Sequence, residues 1–137
     1  MSIEKTTNSP EETINYAKSI APSFSPGDIY GLKGQMASGK TTFIKGLLMG
    51  MGYKSMVNSP TFTLINEYDA ISKVIHIDCY RENNISRWID LGIFEYFSSE
   101  AIVLIEWPEI INNILPETTK YIHFEILENN KREIKLT

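Results

Sequence analysis

The chain has 137 residues, 42% of them hydrophobic, which is enough for a single domain, residues 1–137, with a sizeable core. Its net charge of −4 argues against autonomous binding of nucleic acid, because such binding needs a clustered basic surface. No run approaches the roughly 18 apolar residues of a membrane span, the N-terminus lacks the apolar segment of a signal peptide, and one cysteine leaves no intramolecular disulfide. We therefore expect a cytoplasmic protein with no membrane partner.

The first predicted elements are a helix and a strand. Ser9 is typical of a helix N-cap and Pro10 of the first helical position, and Glu12 can close a capping box. We expect this helix to pack on the sheet. A polar turn over Ser23–Gly27 then leads into what we predict as the first strand, Asp28–Leu32.

A phosphate-binding loop follows this strand directly. In Gly34–Thr41, two glycines are separated by four residues and followed by lysine and threonine, a pattern that lets backbone N–H groups point at phosphate oxygens. Lys40 can reach the outer phosphates, Thr41 can offer its hydroxyl to Mg²⁺, and a predicted helix, Thr42–Met51, points its positive end at the same place. The order of strand, loop and helix favours nucleotide binding over the alternative, a glycine-rich turn.

The next segment, Val57–Leu64, has two interpretations that the residues leave open. Pro60 favours an extended conformation at Ser59, and hydroxyls cluster at Ser59, Thr61 and Thr63. The segment is either a turn into an edge strand that runs through Tyr68, or a switch-like loop that senses the terminal phosphate.

A strand over Val74–Tyr80 supplies the first candidate metal ligand. Its alternation places His76, Asp78 and Tyr80 on one face. A carboxylate at the end of an apolar strand is where phosphate-loop proteins hold Mg²⁺, so Asp78 is the first candidate, with an N-cap or an ion pair to Arg81 as the alternative. We interpret His76 as a satisfied, partly buried histidine, since it lacks metal-ligand spacing.

A continuous apolar run, Ala101–Ile105, predicts a strand buried on both faces, and it ends at a second carboxylate, Glu106. Glu106 could polarise the attacking water or contact Mg²⁺ through a water molecule. Trp107 either covers the site or packs in the core, and Pro108 begins a short helix. Before this run we predict mixed helix and loop, with five side chains packing inward: Trp88, Leu91, Ile93, Phe94 and Phe97.

The C-terminal segment, Tyr121–Thr137, alternates in the manner of a β-hairpin. We expect its strands to extend the sheet in antiparallel fashion and assign them no catalytic role. The whole pattern predicts an α/β fold, a P-loop NTPase-like three-layer sandwich in which central parallel strands are extended by antiparallel strands that include this hairpin.

Four blocks in order resemble the bacterial TsaE (YjeE) family over nearly the whole chain. They are Gly34 to Phe43, Ser59 to Leu64, His76 to Arg81, and Ile105 to Pro108. The resemblance implies a small P-loop ATPase that uses ATP and Mg²⁺ in threonylcarbamoylation of the adenosine beside the anticodon of tRNAs reading codons that begin with adenine. It also implies binding to a complex of TsaD and TsaB, through which tRNA would be met only indirectly.

The resemblance implies roles for individual residues as well. Thr41 and Asp78 would lie near Mg²⁺ with Glu106 as the second acidic position, and Lys40, Asp78 and Glu106 would be the catalytic set. The nucleotide-binding residues would be Gly34, Ala37, Ser38, Gly39, Lys40, Thr41, Thr42, Thr61 and Trp107. The chain departs from the family pattern inside the loop, where family members usually carry an acidic residue, Leu, Gly and Ala in place of Gln35, Met36, Ala37 and Ser38.

Two other functions share the phosphate loop. A small-molecule kinase would need several cationic groups to clamp the transferred phosphate, and the chain has only three arginines, Arg81, Arg87 and Arg132. A nucleotide-dependent binding switch with negligible hydrolysis would differ from an ATPase mostly in rate.

Overall fold

The computed structural model of the protein describes residues 3–55 and 64–137. Over these residues the chain forms seven strands in one sheet: β1 (Ile3–Thr7), β2 (Ile29–Lys33), β3 (Ile65–Asp69), β4 (Lys73–Asp78), β5 (Ile102–Glu106), β6 (Lys120–Ile126) and β7 (Arg132–Leu136). The α-helices are α1 (Pro10–Ile20), α2 (Lys40–Gly50), α3 (Ile85–Asp90) and α4 (Ile93–Phe97). Short 3₁₀ turns cover Ala21–Ser23, Pro108–Ile114 and Glu128–Asn130.

The strands lie in the order β1-β7-β6-β2-β5-β4-β3. The four central strands, β6, β2, β5 and β4, run parallel to one another, whereas β3, β7 and β1 pair in antiparallel fashion. Hydrophobic side chains cover both faces of the sheet, which gives the predicted sandwich of three layers.

Two strands differ from the sequence prediction. The expectation that the whole C-terminal hairpin extends the sheet in antiparallel fashion is wrong for β6, which pairs with β2 in parallel. Alternation fixes only how the two strands of a hairpin relate to each other, and here the connection from β5 crosses over β2 before β6 begins. The first strand is β1 and not Asp28–Leu32. It lies at the sheet edge with only Thr7 buried, so it has no hydrophobic alternation to detect.

Helix α1 begins as predicted and packs chiefly on α2. The Glu12 backbone N–H donates to Ser9 Oγ at 3.1 Å, which confirms Ser9 as the N-cap. A β-carbon added at Gly46 would lie only 2.6 Å from the carbonyl oxygen of Ile14 and 2.7 Å from Cβ of Ala17. The two helices therefore approach backbone to backbone, and together they cover one face of the sheet.

The opposite face is covered by α3, α4 and the Pro108–Ile114 turn. Trp88 and Ile93 are fully buried there, as predicted. Leu91 and Phe94 are 37% and 49% exposed, so inward packing was the wrong prediction for these two. The reason is the break between the two short helices, across which a single apolar stripe does not continue. None of the helices in residues 3–55 and 64–137 is long and apolar enough to cross a membrane.

Candidate functional site

A pocket of about 770 Å³ opens at the carboxyl ends of the parallel strands. Ligands of open α/β sheets bind at this edge, because loops and helix N-termini converge there. Its walls come from the β1–α1 turn, the phosphate loop with the start of α2, the ends of β4 and β5, and the β6–β7 turn. The lining residues that the sequence predicted are Ala37, Gly39, Lys40, Thr41, Thr42, Asp78, Glu106 and Trp107.

The phosphate loop depends on its two glycines for different reasons. A β-carbon at Gly34 would lie 2.7 Å from Ser38 Oγ and 2.9 Å from the Phe124 carbonyl oxygen, so no larger residue fits. Gly39 caps the N-terminus of α2 with a φ of +104°, a conformation that glycine adopts freely. As a result α2 begins at Lys40, two residues earlier than predicted, with its first turn at the pocket.

Within the loop, Ala37 also adopts a left-handed conformation, with a φ of +61°. This conformation costs a residue with a β-carbon roughly 1–2 kcal/mol. Its carbonyl oxygen accepts a hydrogen bond of 3.2 Å from Arg132 Nη2, which attaches the loop to β7. Ser38 is buried, and among residues 3–55 and 64–137 its hydroxyl has no hydrogen-bond partner. Neither Gly34 nor Ser38 is among the lining residues of the pocket, so both shape the loop from behind.

Lys40 is buried at the base of the pocket. Its Nζ donates to the carbonyl oxygen of Gly34 at 2.7 Å and lies 3.9 Å from the centroid of the Trp107 ring. Burial lowers the pKa of Lys40, and the nearby carboxylates of Glu106 and Asp78 act against that change. The ammonium group is thus held among π electrons and oxygen atoms, an environment suited to a cation.

Asp78 and Glu106 end neighbouring strands at the same level. They are paired in the register of β4 and β5, on the face that carries α2. Asp78 is half-buried, and its Oδ1 accepts a 3.0 Å hydrogen bond from the Tyr80 backbone N–H. Burial raises the pKa of Asp78; the Tyr80 N–H opposes this change and the Glu106 carboxylate adds to it. Within the described residues Asp78 forms no ion pair with Arg81, the alternative left open above.

Glu106 is buried and contacts His76. His76 Nε2 lies 2.6 Å from Glu106 Oε2, and both side chains are almost wholly removed from solvent. His76 is therefore fully buried, where partial burial was predicted. Sequence reasoning gave it no role because its partner is 30 positions away and on another strand.

Trp107 lines the pocket beside these groups. Its backbone is left-handed, with a φ of +58°, which turns the chain sharply after the strand end. Its ring centroid lies 5.0 Å from that of Tyr80. Trp107 was interpreted either as a cover of the site or as a packing residue. Its ring lines the pocket, as the first interpretation requires, and it also packs against Tyr80.

Several lining residues were missed by the sequence analysis. They are Asn8, Ser9, Pro10, Thr13, Met36, Tyr80, Arg81, Asn130 and Arg132. Ser9 and Pro10 gave a signal only as a helix start, and Arg132 reaches the pocket only because β7 lies beside β6 and β1. One predicted residue, Thr61, lies outside the described residues.

The donor set at the strand ends fits Mg²⁺. Thr41, Asp78 and Glu106 all offer hard oxygen atoms, the ligands that Mg²⁺ prefers. In residues 3–55 and 64–137, no three His, Cys, Asp or Glu side chains are grouped to hold a metal ion by themselves. A Mg²⁺ ion shared between two carboxylates and nucleotide phosphates does not need such a group, since Mg²⁺ is commonly bound by one or two carboxylates plus phosphates.

Comparison with known proteins gives consistent results. The family model described as "Threonylcarbamoyl adenosine biosynthesis protein TsaE" matches residues 7–134. A protein of Bacillus subtilis (strain 168), named tRNA threonylcarbamoyladenosine biosynthesis protein TsaE, is 42% identical over 132 residues, which are 96% of this chain and 82% of the relative. A protein of the same name from Treponema pallidum (strain Nichols) is 33% identical over 128 residues, 93% of this chain and 95% of the relative. The crystal structure of Bacillus subtilis YdiB has a TM-score of 0.86 and 35% identity, covering 99% of this chain and 84% of that one.

Proposed function

The chain belongs to the TsaE family, and we propose that it binds and hydrolyses ATP in support of threonylcarbamoyladenosine biosynthesis in tRNA. The specific step is modification of the adenosine beside the anticodon in tRNAs that read codons beginning with adenine. The protein would act in the cytoplasm on a complex of TsaD and TsaB, not on tRNA directly. Its net charge of −4 supports an indirect encounter with tRNA.

One observation carries the ATPase proposal. The lysine of a phosphate loop shares a single pocket with two carboxylates that end neighbouring strands. A phosphate site alone requires only the loop, whereas hydrolysis also requires a group to hold a metal ion and a group to orient water. Asp78 and Glu106 supply two such groups.

The residues divide the chemistry among them. Thr41, Asp78 and Glu106 would hold Mg²⁺, which when bound neutralises charge on the outer phosphates. Lys40 would offer its remaining N–H groups to the outer phosphate oxygens while Gly34 keeps the ammonium group in place. Glu106 would orient a water molecule whose oxygen forms a bond to the γ-phosphorus. The bond between that phosphorus and the β-phosphate bridging oxygen breaks, and the water proton leaves with the products, ADP and phosphate.

The volume and the lining of the pocket support a nucleotide and not phosphate alone. Beyond the phosphate loop, its walls continue to the β1–α1 turn at Asn8 and Ser9 and to Arg132. A volume of about 770 Å³ is within the usual range for a small-molecule site. We propose that the nucleoside lies toward this end.

The test is a measurement of phosphate release with and without TsaD and TsaB. We expect slow turnover for the protein alone and faster turnover in the complex, because the described residues bring only two arginines to the pocket, Arg81 and Arg132, and Arg132 is already bonded to the Ala37 carbonyl oxygen. Failure of the pair to bind the protein or to alter its turnover, together with tRNA modification that proceeds without it, would refute the proposal. Lys40→Ala serves as the control for contaminating ATPases.

The same experiment distinguishes the two alternatives. Phosphate that appears on a metabolite and not in solution would identify a small-molecule kinase. Binding to TsaD and TsaB that differs between ATP and ADP, is reproduced by a non-hydrolysable analogue, and releases no phosphate would identify a nucleotide-dependent switch.

A further inference from the structure

His76 and Glu106 are diagonal neighbours on adjacent strands. In the β4–β5 register His76 pairs with Leu104, and Glu106 lies two residues farther along on the same face. The two side chains meet with Nε2 and Oε2 2.6 Å apart, His76 being fully buried and Glu106 nearly so. A hydrogen bond this short between buried groups restrains both partners.

The direction of this hydrogen bond follows from the chemistry of the acceptor. An ionised Glu106 carboxylate can only accept, and in that state Nε2 of His76 carries the hydrogen. His76 Nδ1 is buried, and within the described part of the chain it has no partner. The ring therefore has a single directional contact, and that contact is with Glu106.

Glu106 has equally few restraints. Among residues 3–55 and 64–137, His76 is the only group that donates to its carboxylate. The contact occupies Oε2, which leaves Oε1 as the oxygen available to the pocket that Glu106 lines. Without His76 the carboxylate would be free to rotate about its terminal torsion, which is a broad and soft one.

We propose that His76 is a positioning residue, which fixes the rotation of the Glu106 carboxylate so that one oxygen is presented to the reacting water or metal ion. The inference rests on the proposed function for its catalytic consequence, though not for the contact itself. Groups that orient a ligand or base from behind commonly change metal affinity or activity by about 10- to 100-fold when they are removed.

The contact is tested first without any activity measurement. The chain has two histidines, so long-range ¹H–¹⁵N correlation spectra of the imidazole rings contain two sets of signals, which His123→Gln assigns. We expect His76 in the Nε2–H form with a proton protected from exchange, and we expect loss of that protection in Glu106→Ala. An Nδ1–H form in the wild-type protein would overturn the proposal.

The consequence is tested by kinetics of matched variants. His76→Leu removes the donor, His76→Gln retains an N–H at similar reach, and His123→Gln is the control on an exposed position. We expect kcat to fall about 10- to 100-fold in His76→Leu, with less than about a two-fold change in KM for ATP, and partial recovery in His76→Gln. A role in folding alone would lower the melting temperature and leave kcat per binding site unchanged.

A folded His76→Leu protein with wild-type kcat, titrated to count its nucleotide sites, would overturn the proposal. Failure of the proposed function would appear in a different measurement: the wild-type protein would hydrolyse no ATP with or without TsaD and TsaB. In that event the ring spectra still decide whether His76 donates to Glu106.

Discussion

Asp78 is half-buried, and this burial disfavours the ionised form of its carboxyl group, which is the form that a metal ligand needs. Burial raises its pKa, with a further contribution from Glu106. A carboxyl group whose pKa is raised on folding holds its proton more tightly in the native state than in the unfolded chain, so its ionisation destabilises the fold. The cost is absent in acid, below the ordinary pKa of about 4, and is complete once the pH exceeds the raised value.

We therefore predict that Asp78→Asn stabilises the nucleotide-free protein at pH 7.5 while it suppresses Mg²⁺-dependent hydrolysis. The asparagine keeps an oxygen for the Tyr80 N–H, and an uncharged amide NH₂ group replaces the second carboxylate oxygen. Thermal unfolding as a function of pH measures the effect, with Asp90→Asn as an exposed control. The increase in melting temperature caused by Asp78→Asn should become smaller toward acid pH. A lower melting temperature for Asp78→Asn than for the wild-type protein at pH 7.5 would contradict this account.

Ala37 has a backbone conformation that is unfavourable for a residue with a side chain. Its φ of +61° disfavours any β-carbon by roughly 1–2 kcal/mol, and glycine loses about 0.5–1 kcal/mol through the greater freedom of the unfolded chain. We predict that Ala37→Gly is at least as stable as the wild-type protein, by up to about 1 kcal/mol.

The matched control for Ala37 is Ala70→Gly, in the turn after β3, where φ is not positive. That substitution should destabilise the protein by at least about 0.5–1 kcal/mol, because it adds backbone freedom to the unfolded chain and removes a methyl group that packs against the core. Chemical denaturation of both variants measures the difference. Equal losses in the two proteins would mean that the left-handed conformation of Ala37 costs nothing.

At the scale of elements, α1 and α2 act as one unit that joins the two ends of the pocket. The β1–α1 turn brings Ser9 to one end and α2 starts at Lys40 at the other. Their close approach is possible because Gly46 has no side chain. A change in this contact should therefore affect ATP affinity as well as stability.

We predict that Gly46→Ala destabilises the protein by about 1–3 kcal/mol, because the new methyl group meets the backbone of Ile14. At an exposed position in a helix the same substitution would stabilise the protein by up to about 1 kcal/mol. The sign of the change in unfolding free energy therefore shows whether the close helix contact is present. Denaturant unfolding and ATP titration provide the measurements, and Lys45→Ala is the exposed control in α2. A Gly46→Ala protein as stable as the wild type would mean that the helices separate without cost.

The elements also show which features a sequence can specify. β5 was predictable because the five consecutive apolar residues Ala101–Ile105, followed by a carboxylate, have one simple interpretation, a buried strand that ends at a site. β1 was not, since an exposed edge strand buries only its last residue.

In the site, the phosphate loop and both carboxylates could be predicted because each depends on a short run of sequence. By contrast, Arg132 contacts Ala37 across 95 positions and His76 contacts Glu106 across 30. Such contacts depend on strand order, which no local pattern contains.

At the scale of the whole molecule, four parallel strands direct the phosphate loop, Asp78 and Glu106 to one edge of the sheet. The same arrangement concentrates buried ionisable side chains there, namely Lys40 and Glu106. A ligand that satisfies these groups should stabilise the whole fold, because it binds the native state and not the unfolded chain.

We predict that Mg²⁺ and ATP at about 100 times the dissociation constant stabilise the protein by about 2.7 kcal/mol, a rise in melting temperature of roughly 5–15 °C. Lys40→Ala should lose most of this rise, since it removes the cation proposed to bind the outer phosphates and leaves the Gly34 carbonyl without its donor. Lys45→Ala, five residues farther along α2 and exposed, should keep it. Thermal unfolding over a series of ATP concentrations distinguishes binding from a general salt effect, because only binding makes the shift grow with the logarithm of ATP concentration. A rise of equal size in Lys40→Ala would place the nucleotide somewhere other than the phosphate loop.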